Sequence, residues 1–202
     1  MKANQKLKQG NIEVCLFPLE YMYLTQGELN PSGSHAGILA MDFQGYGANG
    51  RIYKCPLYAP VSAKVVVHQT DYVVWESLEN VLLADRTISK ICWQVGHDDT
   101  PPALGTIVKQ GDLMGHTGTT GQVTGDHTHL NFALGNYQGF ERVSTGNSQL
   151  KNSIHLYNTC YINDTIIIVD GGYNWITYTS PIINKYRKSN FKFYLFKRNL
   201  TK

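Results

Sequence analysis

Apolar residues in this chain come in short runs broken by Gly, Asn, Asp and Pro, which is the pattern of strands rather than helices. The run Val14–Tyr23 is apolar and aromatic but interrupted by Pro18, and predicts a short edge strand or a packed extended segment. Turn chemistry fills Gly27–Ser34 and delivers His35, after which Ile38–Met41 is apolar and Asp42 closes the run. Phe43–Lys54 is a glycine-broken loop. A strand starts at Ala59-Pro60-Val61 and ends near His68, and Asp71–Ser77, Val81–Ala84 and Ile91–Val95 are further strand candidates. Thr106–Met114 reads as a short strand, a Lys-Gln-Gly-Asp turn and the start of another strand.

The clearest alternation lies in Gly115–Asn131, GHTGTTGQVTGDHTHLN, and the residues just after it. Read as a strand ending near Leu134-Gly135, it puts His127, His129 and Asn131 on one face and Thr128, Leu130 and Phe132 on the other. One side is then core and the other carries two imidazoles. Nothing up to this point has the period of an amphipathic helix, so the body is expected to be mostly β, a small antiparallel sheet of short strands with long loops. Beyond Gly135 the chain turns polar, with room for one helical turn, and then carries two strand-like runs separated by Asn163-Asp164 with a turn at Gly171-Gly172. We therefore expect residues 1–135 to form the main domain with an N-terminal extension, and residues 136–202 to be a C-terminal extension or small lobe packed on it.

Composition narrows the chemistry. A length of 202 residues suits one domain, or one with an appendage, and buries a core without cross-links. A net charge of +3 does not imply nucleic acid, and no stretch is long and apolar enough to span a membrane. The N-terminus has no apolar run that would serve as a signal-peptide core. Cys15, Cys55, Cys92 and Cys160 make no CxxC pair, which disfavours a thiolate zinc site or a redox dithiol. They are expected to be buried thiols, and spacing does not say whether any are paired. The basic residues Lys185, Arg187, Lys188, Lys192, Lys197, Arg198 and Lys202 close the chain with no acid among them.

Two imidazoles and a carboxylate, His35, Asp42 and His129, make a ligand set for zinc that leaves a fourth position open. One member of the His127/His129 pair would bind the metal while its neighbour faces a substrate. His97, at the mouth of its own strand, is a further imidazole that would serve as acid or base. Seven residues separate His35 from Asp42, so a straight strand would point them to opposite faces. Either Gly37 permits a bend, or the two ligands sit at the ends of a loop. His68, at the end of a Val run, reads as structural or exposed, and His116 as an exposed turn residue or a substrate contact.

In this order the residues resemble the lysostaphin-like zinc metallopeptidases, a group that includes LytM-type cell-wall endopeptidases and many phage lysins. The resemblance runs from about Ser34 to Leu134: His35 and Asp42, Ala59-Pro60-Val61, His97, Val108-Lys109-Gln110-Gly111-Asp112, Gly115-His116-Thr117-Gly118, and Thr124 to Phe132. It implies Zn2+ held by His35, Asp42 and His129, with His97 and His127 as the catalytic histidines. The implied reaction is hydrolysis of peptide bonds in peptidoglycan, on an antiparallel scaffold with a narrow groove between loops. The His35–Asp42 spacing is longer than the family's usual one, and Asn131 stands where the family often has an acid, which alters the support around the site. The Asp98–Pro102 stretch is expected to line the groove.

The lack of a leader fits a phage-encoded lysin, made in the host cytoplasm or carried in the virion and acting on a Gram-positive cell wall. The basic C-terminus would touch anionic wall polymer. The alternatives are a cell-wall-binding or virion structural protein on the same scaffold that does not cut. Nucleic acid has no reading motif here to support it.

Overall fold

The computed structural model describes residues 3–161 and the backbone of the strands Ile168–Asp170, Asn174–Tyr178 and Phe193–Lys197. Its centre is a nine-stranded sheet built from β1 (Met22–Gln26), β2 (Ala40–Gln44), β3 (Ala63–His68), β4 (Tyr72–Ser77), β5 (Ile91–Gly96), β6 (Ile107–Val108), β7 (Thr128–Leu134), β8 (Ser153–Ile154) and β9 (Ile168–Asp170). The spatial order is β6-β3-β4-β5-β7-β2-β1-β9, with β8 continuing the β2 side of β7. Every pairing in it is antiparallel except β9 with β1. The mostly β expectation therefore holds.

Each central strand alternates as its sequence does. On one face Val65, Trp75, Trp93, Leu130, Phe132 and Phe43 are buried in the main core. Trp75, Trp93 and Phe132 stack across β4, β5 and β7, with ring centroids 6.4 and 6.0 Å apart. Large apolar side chains on facing positions stabilise the sheet on this side.

The opposite face carries Val74, Cys92 and Ala133 at one end, covered by Leu150 and flanked by Tyr137 and Phe140. At the other end, around Gly96, His129 and Asp42, it stays open. The hairpin of Phe140–Arg142 and Ser148–Leu150 walls this opening, so residues beyond Gly135 help to shape the groove.

Ser153–Tyr161 is not one strand. It gives two residues to β8 and then a helical turn, α1 (Leu156–Thr159). Leu156 and Cys160, four residues apart, are both buried, and the Thr159 hydroxyl donates to the His155 carbonyl, so the apolar run here packs with helical spacing. All four cysteines are buried free thiols. Burial pushes Cys55 up to about 11 and Cys92 up to about 12, which keeps both protonated and unsuited to thiolate chemistry. Among the described residues no helix is long and apolar enough to cross a membrane. The side chains of the basic run Lys185–Lys202 lie outside the described residues.

Candidate metal centre

Strand register assembles the site. On β7, His129 lies opposite Asp42 of β2 on one side and Gly96 of β5 on the other. His35 reaches the same place from the turn before β2, where Gly37 has φ +72°. That left-handed residue bends the chain, as the spacing of His35 and Asp42 requires. The turn is held by the Leu29 and Asn30 amides, which donate to the Ile38 and His35 carbonyls.

Three ligand-type atoms converge. His35 Nε2 is 3.2 Å from both Asp42 Oδ1 and His129 Nδ1, and His129 Nδ1 is 3.1 Å from Asp42 Oδ1. Tetrahedral zinc with bonds of about 2.0–2.1 Å places neighbouring ligand atoms about 3.3 Å apart. The triangle therefore fits such an ion, and its chemistry of two imidazoles and a carboxylate suits zinc. His35 Nδ1 lies 3.2 Å from the Gly27 carbonyl, which only accepts, so Nδ1 carries the proton and Nε2 presents a lone pair to the cluster. Burial would raise the Asp42 pKa, but hydrogen bonds with His129 and His35 outweigh it and hold the carboxyl well below the usual carboxylate range. The site keeps an anion where a cation would sit.

His97 and His127 stand beside this cluster, their rings 4.6 Å apart, and His127 Nε2 is 3.6 Å from Asp42 Oδ2. Each is oriented by a backbone carbonyl: His97 Nδ1 donates to Thr120 at 2.9 Å and His127 Nδ1 to Gly125 at 2.7 Å. Both Nε2 atoms are thereby left as acceptors, the form that takes up a proton. Burial lowers the His97 pKa, and the neighbouring His127 and His129 push the same way against the Thr120 hydrogen bond. His97 also has φ +75°, a conformation that few non-glycine residues adopt. Its amide, donating 2.8 Å to the Asp71 carbonyl, helps to hold it there. The five residues surround one groove of about 560 Å³.

No family model matches the chain. Morphogenesis protein 1 of Bacillus phage B103 is 38% identical over 171 residues, covering 82% of this chain and 45% of that protein. The chain thus spans about half the length of the curated relative it matches. Among solved structures, the M23 metalloprotease pseudoalterin from the deep sea matches at 16% identity and TM-score 0.45, covering 92% of this chain and 91% of its own. The catalytic domain of the antimicrobial peptidase lysostaphin from Staphylococcus simulans matches at 19% identity and TM-score 0.39, covering 62% and 84%. The structural neighbours are M23 metallopeptidases.

Several supporting residues were not picked out from sequence. Gly96 is one: a Cβ there would lie 2.9 Å from the His129 Cβ, so its bare backbone makes room for the imidazole. Asp126 is another. It is buried, accepts from the Thr117 hydroxyl at 2.7 Å and the Lys54 amide at 3.1 Å, and so anchors the turn just before His127. A carboxylate directly preceding the HxH pair was the available signal.

The Asp98–Pro102 loop does not line the groove. Its acids turn the other way: Asp98 accepts from the His116 amide, and Asp99 from the Thr119 amide and the Thr119 and Thr120 hydroxyls. These bonds clamp the segment whose Thr120 carbonyl orients His97. Gln122–Thr124 forms the groove wall instead. His116 is half-buried at the end of the strand Leu113–His116 and lines a separate apolar cavity with Trp75 and Met114. His68 is exposed, with Nδ1 2.8 Å from the Pro102 carbonyl. Asn131 is buried, donates to the Leu39 carbonyl and accepts from the Leu150 amide, and so supports the strand beneath His129.

Proposed function

We propose that this protein is a zinc-dependent endopeptidase that hydrolyses peptide bonds in bacterial peptidoglycan. The observation that carries this is the convergence of His35 Nε2, Asp42 Oδ1 and His129 Nδ1 to within 3.2 Å of one another, with the two carbonyl-oriented imidazoles of His97 and His127 beside them. His35, Asp42 and His129 would hold the zinc. When bound, the ion supplies a Lewis acid that acidifies water and polarises a carbonyl.

The chain's own residues supply the proton handling. The Nε2 atoms of His97 and His127 face the groove as acceptors: one takes the proton from the attacking water, and the other, once protonated, donates to the developing oxyanion or the leaving amine. The fixed Nδ1–H···O=C bonds keep both rings in the tautomer this requires. The apolar wall of Tyr72 and Phe140 and the polar wall of Asn147 and Ser148 give an extended peptide a channel. In this reading residues 1–135 are the metallopeptidase domain and residues 136–202 an extension, of which Phe140, Asn147 and Ser148 line the groove, its basic end meeting anionic polymer of a Gram-positive wall.

The resemblance to lysins and the phage relative support a phage-encoded enzyme, released as an endolysin or carried in the virion. The relative's name, a morphogenesis protein, favours one second reading: a virion component on this scaffold that grips the wall without cutting it. Mass spectrometry of the soluble products from purified peptidoglycans of different bridge types, with and without a zinc chelator, separates the two. New amino and carboxyl termini at one defined bond, absent with chelator, are expected. Zinc-loaded protein that releases nothing from any wall would overturn the peptidase reading.

A further inference from the structure

Apart from its histidines, the charged side chains of the groove are carboxylates. Among the described residues that line it there is no lysine or arginine, and its polar walls are amides and hydroxyls such as Gln26, Gln94, Gln122 and Asn147. Of its two carboxylates, Asp42 is engaged by the histidine cluster and Asp71 is not. The Asp71 backbone is fixed where it accepts the His97 amide, while its side chain is exposed and has no hydrogen bond or ion pair among the described residues.

That carboxylate lies towards the back of the His97 ring, whose Nδ1 is turned to the Thr120 carbonyl. A point one carbon above Gly121 is 3.5 Å from Asp71 Oδ2 and 3.7 Å from His97 Nδ1. Next to Asp71 in sequence, the Tyr72 ring meets the Phe140 ring edge-on, with centroids 5.6 Å apart, and both line the groove. An unpartnered carboxylate and aromatic rings lining one groove suit an ammonium group, which gains a charge-assisted hydrogen bond from the first and a cation–π contact from the second. A substrate carboxylate placed there would meet like charge, with no lysine or arginine among the described lining residues to offset it.

We infer that Asp71, together with Tyr72, forms a specificity site that selects peptides bearing an unsubstituted ammonium group near the bond to be cut, and disfavours peptides with a carboxylate at that position. The inference rests on the peptide-hydrolase reading for its ligand class, but binding and cleavage are measured apart.

The probe is a mixture of soluble stem peptides prepared from purified Gram-positive wall, used with its amino groups intact or after acetylation. Binding to the full zinc-loaded chain is titrated at low salt for the wild type and for Asp71→Asn. Acetylation is expected to weaken wild-type binding about ten-fold, and Asp71→Asn to bind both mixtures alike and at the weaker level. Its melting temperature should stay at the wild-type value, because the side chain it alters is exposed. Equal wild-type affinity for the two mixtures, a preference that persists in Asp71→Asn, or no binding of either mixture would overturn the inference. Peptides bound with this preference but never cut would remove the peptidase reading and leave the ammonium site standing. Peptides cut without regard to acetylation would do the reverse.

Discussion

Gly96→Ala tests whether strand register builds the proposed metal centre. Gly96 has an ordinary backbone conformation, so alanine meets no conformational obstacle there, only one of space. The added Cβ would sit 2.9 Å from the His129 Cβ and 3.8 Å from its Cγ. Carbon atoms pack at about 3.5–4.0 Å and the His129 Cβ moves only with its backbone, so β5 and β7 must part by about 0.6–1.1 Å. Overpacking of this kind costs about 1–3 kcal/mol of fold stability. The site is affected more specifically, because His129 Nδ1 lies only 3.1 and 3.2 Å from its two partners and metal bonds tolerate shifts of about 0.2 Å. Zinc affinity should fall about 10–100-fold. In melting experiments the variant should therefore lose more stability with zinc than without it, by about 1.4–2.7 kcal/mol of linkage. Chelator competition measures the affinity directly. A Gly96→Ala protein that folds and binds zinc as tightly as the wild type would refute the reasoning.

Three further outcomes follow from the same geometry. His129→Ala should lose both zinc and turnover, whereas His127→Ala should keep zinc and lose about 10²–10⁴-fold in kcat; equal zinc loss in both, read by elemental analysis, would reverse the roles assigned to the pair. In the proposed role His97 must be neutral to accept a proton, and its pKa lies below the ordinary 6.5, so the acid limb of kcat/KM that it would govern should fall below pH 6.5; a limb above 6.5 that disappears in His97→Gln would contradict this. Asn131→Ala strands the buried Leu150 amide and Leu39 carbonyl, and urea unfolding should show a loss of about 1–3 kcal/mol, while an unchanged midpoint would mean that water or another side chain replaces Asn131.

What could be read from sequence was whatever a two-residue period or a turn residue encodes locally. The alternation of His127, His129 and Asn131 against Thr128, Leu130 and Phe132 matches the observed burial on the core side, where Thr128, Leu130 and Phe132 are all buried. Gly37 marked the bend that lets His35 join Asp42. What stayed hidden depends on contacts distant in sequence. The direction of the Asp98–Pro102 loop is decided by carboxylates that accept from His116, Thr119 and Thr120, and composition alone does not distinguish that clamp from a groove lining. The helical turn of α1 comes from burial of Leu156 and Cys160 on one side, in a run whose residue types also suit a strand. Likewise, the wall supplied by Phe140, Asn147 and Ser148 exists because the chain after Gly135 returns to β7, a pairing that no local pattern announces.

The most direct test of the account is where zinc binds. Anomalous scattering at the zinc edge from a crystal of the zinc-loaded chain should give one strong peak within bonding distance of His35 Nε2, Asp42 Oδ1 and His129 Nδ1, with His97 and His127 facing it and not bound to it. A peak held by other residues, or one in which His127 takes the place of His129, would contradict the arrangement from which the proposed chemistry is built.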